Sequence, residues 1–205
     1  MRLNKIWPDG QKESHEYCFF LPDFRTFRLP DLYHFSNMRI FLIGFMGSGK
    51  THWGGLLAQR LHLPFYDLDA IIIETEGKSI ADIFADQGEE YFRLLEKDLL
   101  EDIIKEHPAL VLSCGGGTPC FFNNIDLMKK EGTVVWLNTS IEALTERLKK
   151  EKESRPLIKN ISDQDLRSYI LKKMNDRRLY YEQADVHVEE ATVTIDSLLQ
   201  QILHV

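Results

Sequence analysis

The chain has 205 residues, 43% of them hydrophobic and 28% charged, a composition that suits one globular domain large enough to bury a sizeable core. Its net charge of −7 argues against a general nucleic-acid binder, which needs a basic face to meet phosphates, and no apolar run reaches the length of a membrane span. Three cysteines, an odd number, fit a reducing cytoplasm better than a secreted disulfide framework.

Residues 1–37 stand apart from the remainder of the chain. They carry Pro8, Pro22 and Pro30, scattered aromatics and charges that cancel, with no helical or strand period. Acidic residues and the lack of an apolar stretch speak against a transit or signal peptide. A poorly ordered N-terminal extension is expected, and Met38 at the head of the first strand leaves a start assigned too far upstream as another account. From there the pattern alternates. Arg39 to Ile43 forms a buried strand, Lys50 to Leu61 a helix, and Pro64 to Tyr66 a short strand. Ile80 to Lys105 has helical period with a break near Gln87-Gly88. Ala109 to Leu112 is a third strand, Phe122 to Lys130 a helix, Thr133 to Leu137 a fourth strand, Ile141 to Lys150 and Asp163 to Tyr181 helices. Val186 to Val188 is a fifth strand and Ile195 to Ile202 a closing helix. Strands separated by helices predict an α/β fold, a five-stranded parallel sheet flanked by helices on both faces. Ligands in such sheets bind beyond the carboxyl ends of the strands.

One motif lies at the first of those ends. Gly44-Phe-Met-Gly-Ser-Gly-Lys-Thr51 fits G-x-x-x-x-G-K-[ST] between a strand and a helix. Glycines let such a loop turn its N–H groups inward as an anion nest, and the helix N-terminus adds partial positive charge. Gly47, Ser48 and Gly49 would cradle phosphate, Lys50 would reach the β- and γ-phosphates, and the Thr51 hydroxyl would ligate magnesium. That predicts a nucleoside triphosphate and leaves the acceptor open.

The acceptor must come from elsewhere. Asp67 and Asp69 follow the second strand, and a period of two would point them to one side. One carboxylate could hold the water shell of magnesium and the other a substrate hydroxyl, or Asp67 could simply cap a helix. Arg93 lies at helical spacing from Glu89 and Glu96. The trio is either a braced fork for a substrate carboxylate or a surface ion pair. Phe84 and Phe92 fit a core as well as a binding wall. Gly115, Gly116 and Gly117 end the third strand, where backbone N–H groups could face a ligand and unusual dihedral angles would be open to them. Cys114 and Cys120 flank the triplet without a second pair to make a zinc site, so both are expected to be structural.

Taken together, G-F-M-G-S-G-K-T, D-L-D, I-A-D-I-F-A-D-Q-G-E-E-Y-F-R-L-L-E, G-G-G, Arg155-Pro-Leu and Arg177 ahead of Tyr181 closely resemble the shikimate kinase family. The resemblance covers nearly all of 38–205 and none of 1–37. It implies a three-layer P-loop kinase fold and ATP-dependent phosphorylation of the 3-hydroxyl of shikimate in aromatic amino-acid biosynthesis. It also implies roles. Lys50, Asp69 and Arg155 would be catalytic, with Asp69 on the shikimate hydroxyls and Arg155 in a mobile lid over 149–162 that closes on the transferring phosphate. Thr51 and Asp67 would serve magnesium, and Arg147 would pack on adenine. Arg93, held by Glu96, would pair with the shikimate carboxylate, with Arg177 as a second ligand. Gly115, Gly116 and Gly117 would present backbone to the ring, and Phe84 and Phe92 would wall its pocket. Where the family shows Arg-x-Pro-x-Tyr, this chain has Arg177-Arg-Leu-Tyr-Tyr181, so Arg178 competes with Arg177. The expected partners are ATP and shikimate, with no nucleic acid and no membrane, for a cytoplasmic monomer. A P-loop kinase for another hydroxy acid or polyol, such as gluconate, is the alternative, and a nucleotide-binding protein without catalysis a third.

Overall fold

The computed structural model describes residues 37–152, 155 and 157–205. The expected extension over 1–37 lies outside them except for Asn37, as do residues 153, 154 and 156 of the expected lid. Five strands, β1 (Arg39–Ile43), β2 (Phe65–Asp67), β3 (Leu110–Ser113), β4 (Thr133–Asn138) and β5 (Val186–Glu189), form one sheet in the order β2-β3-β1-β4-β5. Every pairing is parallel, as the unbroken apolar runs require of strands covered on both faces. Alternate residues feed opposite layers. Ile40, Leu42, Val111, Val135 and Leu137 meet α1 (Lys50–Leu61) and α7 (Ile195–Leu203) through Leu57, Leu61, Leu198 and Ile202. Phe41, Ile43, Leu110, Leu112, Val134 and Trp136 point the other way and are buried too, with α4 (Asn124–Glu131) against β4 on that side. Each fully buried leucine such as Leu57 contributes about 2 kcal/mol.

The remaining helices are α2 (Leu68–Glu76), α3 (Ile80–Glu106), α5 (Ile141–Lys150) and α6 (Asp163–Tyr181). Hydroxyl side chains start three of them: Ser79, Ser140 and Ser162 accept from the backbone N–H groups of Asp82, Ala143 and Asp165, which satisfies donors the first turn leaves free. Gly88 breaks α3 at the expected place, with φ 82 and ψ 175, a conformation that only glycine adopts without strain. The expected helix from Phe122 begins instead at Asn124, because Phe122 and Asn123 have φ of 50 and 57 and the preceding Thr118–Cys120 form a 3-10 turn. Helix α2 had no range in the sequence reading and entered it only as the helix that Asp67 could cap. Among the described residues no helix is long and apolar enough to cross a membrane.

Arg39 ties the foot of the sheet. Its Nε donates to the His107 carbonyl at 2.8 Å, Nη2 to that of Ile104 at 3.0 Å and Nη1 to that of Glu131 at 3.2 Å. One guanidinium thereby satisfies carbonyls at the C-terminal ends of α3 and α4. At the opposite end, β3 and β4 leave β1 on its two sides. Register aligns Leu42 with Ser113 and Asp67 with Ser113, so the segments after β1, β2 and β3 open into one crevice, the place where strand order reverses.

Candidate active site

The loop after β1 turns on Gly47 and Gly49, with φ of 79 and 90, and delivers Lys50 to the first position of α1. Lys50 Nζ donates to the carbonyls of Gly44 and Phe45 at 3.0 and 2.9 Å. Burial lowers its pKa to about 8, against the pull of Asp69 and Asp67. Ser48 is fully buried, and its hydroxyl has no hydrogen-bond partner among the described residues. The loop is thus a cluster of backbone N–H groups, one cation and the positive end of α1, a receptor for a polyphosphate.

Asp67 has two duties. As the last residue of β2 it caps α2, accepting from the N–H groups of Asp69 and Ala70 at 3.1 and 3.4 Å. Its other oxygen accepts from the Thr51 hydroxyl at 2.8 Å. Asp69 lies inside α2, which corrects the expectation that strand alternation aligns it with Asp67. Helix geometry brings it to the crevice instead. Burial, then the Asp67 and Glu96 carboxylates, raise its pKa to about 6, while Lys50 and Arg93 pull it down. One carboxyl therefore stands between the cation of the phosphate loop and the cation of α3.

That second cation is held on every side. Arg93 Nη1 donates to Glu96 at 2.8 Å, and Nε and Nη2 both donate to one oxygen of Glu89 at 3.3 and 3.2 Å. Its guanidinium carbon lies 5.0 Å from the Phe92 ring centre, 4.6 Å from that of Phe121 and 5.9 Å from that of Phe84, and Phe84 and Phe92 stack at 4.6 Å. Arg93 and Glu96 are buried, so the bland reading of an exposed surface pair fails. The other oxygen of Glu96 accepts a short hydrogen bond from the Thr118 hydroxyl.

The glycine triplet makes room for these groups. A Cβ at Gly115 would lie 2.5 Å from Glu96 Oε1 and 3.1 Å from Asp69 Oδ1. At Gly117 it would lie 2.8 Å from both terminal nitrogens of Arg93, and at Gly116 3.2 Å from Arg177 Nη1 and 3.4 Å from the Met46 N–H nitrogen. None of the three has a left-handed φ. The expected dihedral freedom is not used; close approach is the requirement. Gly116 thus sits where the phosphate loop and the cationic cluster adjoin.

Arg177 stands over the Phe45 ring at 5.5 Å, one helical turn before Tyr181, whose hydroxyl donates to the Gly116 carbonyl at 2.6 Å. Arg178 faces outward, 63% exposed and paired with Glu182. Leu179, where the family has proline, is 74% exposed, so the departure falls on the surface. Arg147 donates to the Gly47 carbonyl at 3.1 Å and to both oxygens of Glu190 at 3.0 and 2.9 Å. Arg155 is close enough to depress the Lys50 pKa, but its guanidinium is turned onto Glu151 at 2.8 and 2.6 Å. Cys114 is buried with its thiol against Met128, and both Cys114 and Cys120 are free. Burial raises the pKa of both, Cys120 to about 11. The sequence reading missed Phe45, Thr118, Phe121 and Glu190, which meet their partners only through the fold.

A strand feeding a glycine-turned anion loop and helix, with a second cationic cluster at the shared end of a parallel sheet, defines a P-loop kinase for a small acidic acceptor. A sequence model of the shikimate kinase family matches residues 46–205. A shikimate kinase of Azobacteroides pseudotrichonymphae is 44% identical over 80% of this chain and 97% of its own length. The crystal structure of the Bacteroides thetaiotaomicron shikimate kinase superposes with a TM-score of 0.76 at 35% identity, over 82% of this chain and 99% of that one. The solved structure of the Acinetobacter baumannii shikimate kinase in complex with shikimate gives a TM-score of 0.74 at 32% identity, over 84% of this chain and 95% of that one. The chain belongs to the shikimate kinase family.

Proposed function

We propose that this chain transfers the γ-phosphoryl group of ATP to the 3-hydroxyl of shikimate, with each half of the crevice holding one anionic substrate. The observation that carries this reading is the position of Asp69, whose Oδ1 stands at Gly115 together with Glu96 Oε1, the carboxylate that holds Arg93, while Lys50 and Arg93 both act on its charge. The loop N–H groups and Lys50 hold the β- and γ-phosphates. Arg147 flanks the adenine, and Arg155 leaves Glu151 to meet the transferring phosphate as the 149–162 lid closes and excludes water.

Thr51 and Asp67 fit magnesium, as hard oxygens 2.8 Å apart beside the phosphate loop. Magnesium bound there with nucleotide phosphates supplies charge neutralisation. It needs no larger cluster of protein ligands, and among the described residues no group of three or more His, Cys, Asp or Glu is placed to hold a metal. Arg93 and Arg177 grip the shikimate carboxylate, and Phe84, Phe92 and the backbone of Gly115, Gly116 and Gly117 bound the ring. Asp69 accepts a hydrogen bond from the attacking hydroxyl. A carboxyl near 6 is also a stronger base at neutral pH than an ordinary aspartate near 4. Catalysis rests on alignment of the two reacting oxygens and on charge stabilisation. A monomer is the proposed working unit. The test is ADP release with Mg-ATP and shikimate, beside a panel of other hydroxy acids and polyols. Release with shikimate far above the panel is expected; release with gluconate or with none of them would sink the reading.

A further inference from the structure

Carboxylates already engage three of the five N–H donors that the Arg93 guanidinium carries. Glu96 takes Nη1, while Glu89 takes Nε and Nη2 together with a single oxygen. Nε and Nη2 form one of the two edges with which a guanidinium makes a two-pronged pair with a carboxylate. The two glutamates holding it differ in freedom. The Glu96 side chain is 1% exposed and is also bound by Thr118. That of Glu89 is 61% exposed and reaches Arg93 from the first turn after the Gly88 break. A substrate carboxylate arriving beside Arg93 meets Glu89, Glu96 and Asp69 against the charges of Arg93 and Arg177. An extra anion there is accommodated most cheaply by moving the exposed carboxylate into water.

We infer that Glu89 is a built-in competitor for Arg93, a stand-in carboxylate that the substrate carboxylate displaces when it binds. This rests on the reading of Arg93 as the substrate's carboxylate ligand. Glu89 keeps the guanidinium aimed while the pocket is empty and weakens acceptor binding by the strength of one exposed ion pair. It acts through Arg93 as a positioning residue that sets acceptor affinity. A purely structural brace has the opposite sign, since its loss would leave Arg93 misaligned and raise the acceptor requirement.

Steady-state kinetics separate the two. Glu89→Gln should lower the KM for shikimate about two- to fivefold, the range set by exposed pairs, while the KM for ATP stays in place. The gain should shrink as ionic strength rises. Glu90→Gln, which removes the same charge from an exposed neighbour on the same helix, should leave the KM for shikimate unmoved. In an Arg93→Ala background Glu89→Gln should have no effect on it. A KM for shikimate that is unchanged or raised in Glu89→Gln, an equal gain from Glu90→Gln, or a gain that survives without Arg93 would each overturn the inference. If Arg93→Ala alone leaves the KM for shikimate unaltered, the parent reading of Arg93 fails instead.

Discussion

The two halves of the crevice are built in different ways. The phosphate half is one continuous segment, Gly44 to Thr51, made mainly of backbone and fixed by the strand before it and the helix after it. The proposed acceptor half takes Asp69 from α2, Arg93 and Glu96 from α3, three glycines from the end of β3 and Arg177 from α6. Backbone is the same in every residue, so a phosphate receptor can be local. Reading one particular acid-alcohol takes side chains of chosen charge, and those must be gathered from distant turns. The first kind of site tolerates surface drift elsewhere; the second depends on how four elements dock.

Asp69→Asn strikes the seam between the halves and should have the largest effect. Turnover should fall about 10²- to 10⁴-fold with ATP affinity near normal, checked by kcat and by nucleotide titration; loss of ATP binding would mean that the halves are not separable. Gly117→Ala probes the acceptor half alone. Its Cβ would sit 2.8 Å from the Arg93 nitrogens, so Arg93 must move, and the KM for shikimate should rise about tenfold or more with the loss of a charged hydrogen bond. An equal rise in the KM for ATP would break the comparison. Glu190→Gln probes the phosphate half, where it frees Arg147 from its carboxylate; the KM for ATP should rise about two- to fivefold and that for shikimate should not.

The smallest effect is on stability at alkaline pH. Burial raises the pKa of Cys114 and of Tyr181, both in the acceptor half. Raised in the folded state, these acids keep their protons where the unfolded chain loses them, so the unfolded state binds fewer protons and stability falls as pH rises above about 9. Each group steepens the fall by about 1.4 kcal/mol per pH unit at most. Urea midpoints measured from pH 8 upward should decline in the wild type and decline less in Cys114→Ala.

The same asymmetry decided what could be read from the chain. Buried parallel strands advertise themselves as apolar runs, and the phosphate loop carries its whole chemistry in eight adjacent letters, so fold and nucleotide half were legible. Gly88 marked its own break. Helix α2 was offered only through its cap, and its extent was hidden because Ile71, Ile72 and Ile73 are β-branched and favour strands, whereas packing against α3 makes them helical. That error put Asp69 on a strand. The acceptor half became legible only through the resemblance, since spacing alone left Arg93 between a ligand and a surface pair. Phe121 and Glu190 could not be foreseen, for nothing near them in the chain names Arg93 or Arg147 as a neighbour. The glycines stood out as a run, yet the side chains that crowd them lie tens of residues away.

Far from the chemistry, Arg39 rivets the first strand to the tail ends of two helices. A pocket so mounted has a foundation that does not settle: whatever gives way when substrates arrive must do so at the rim, among the turns above the sheet, and never at its root.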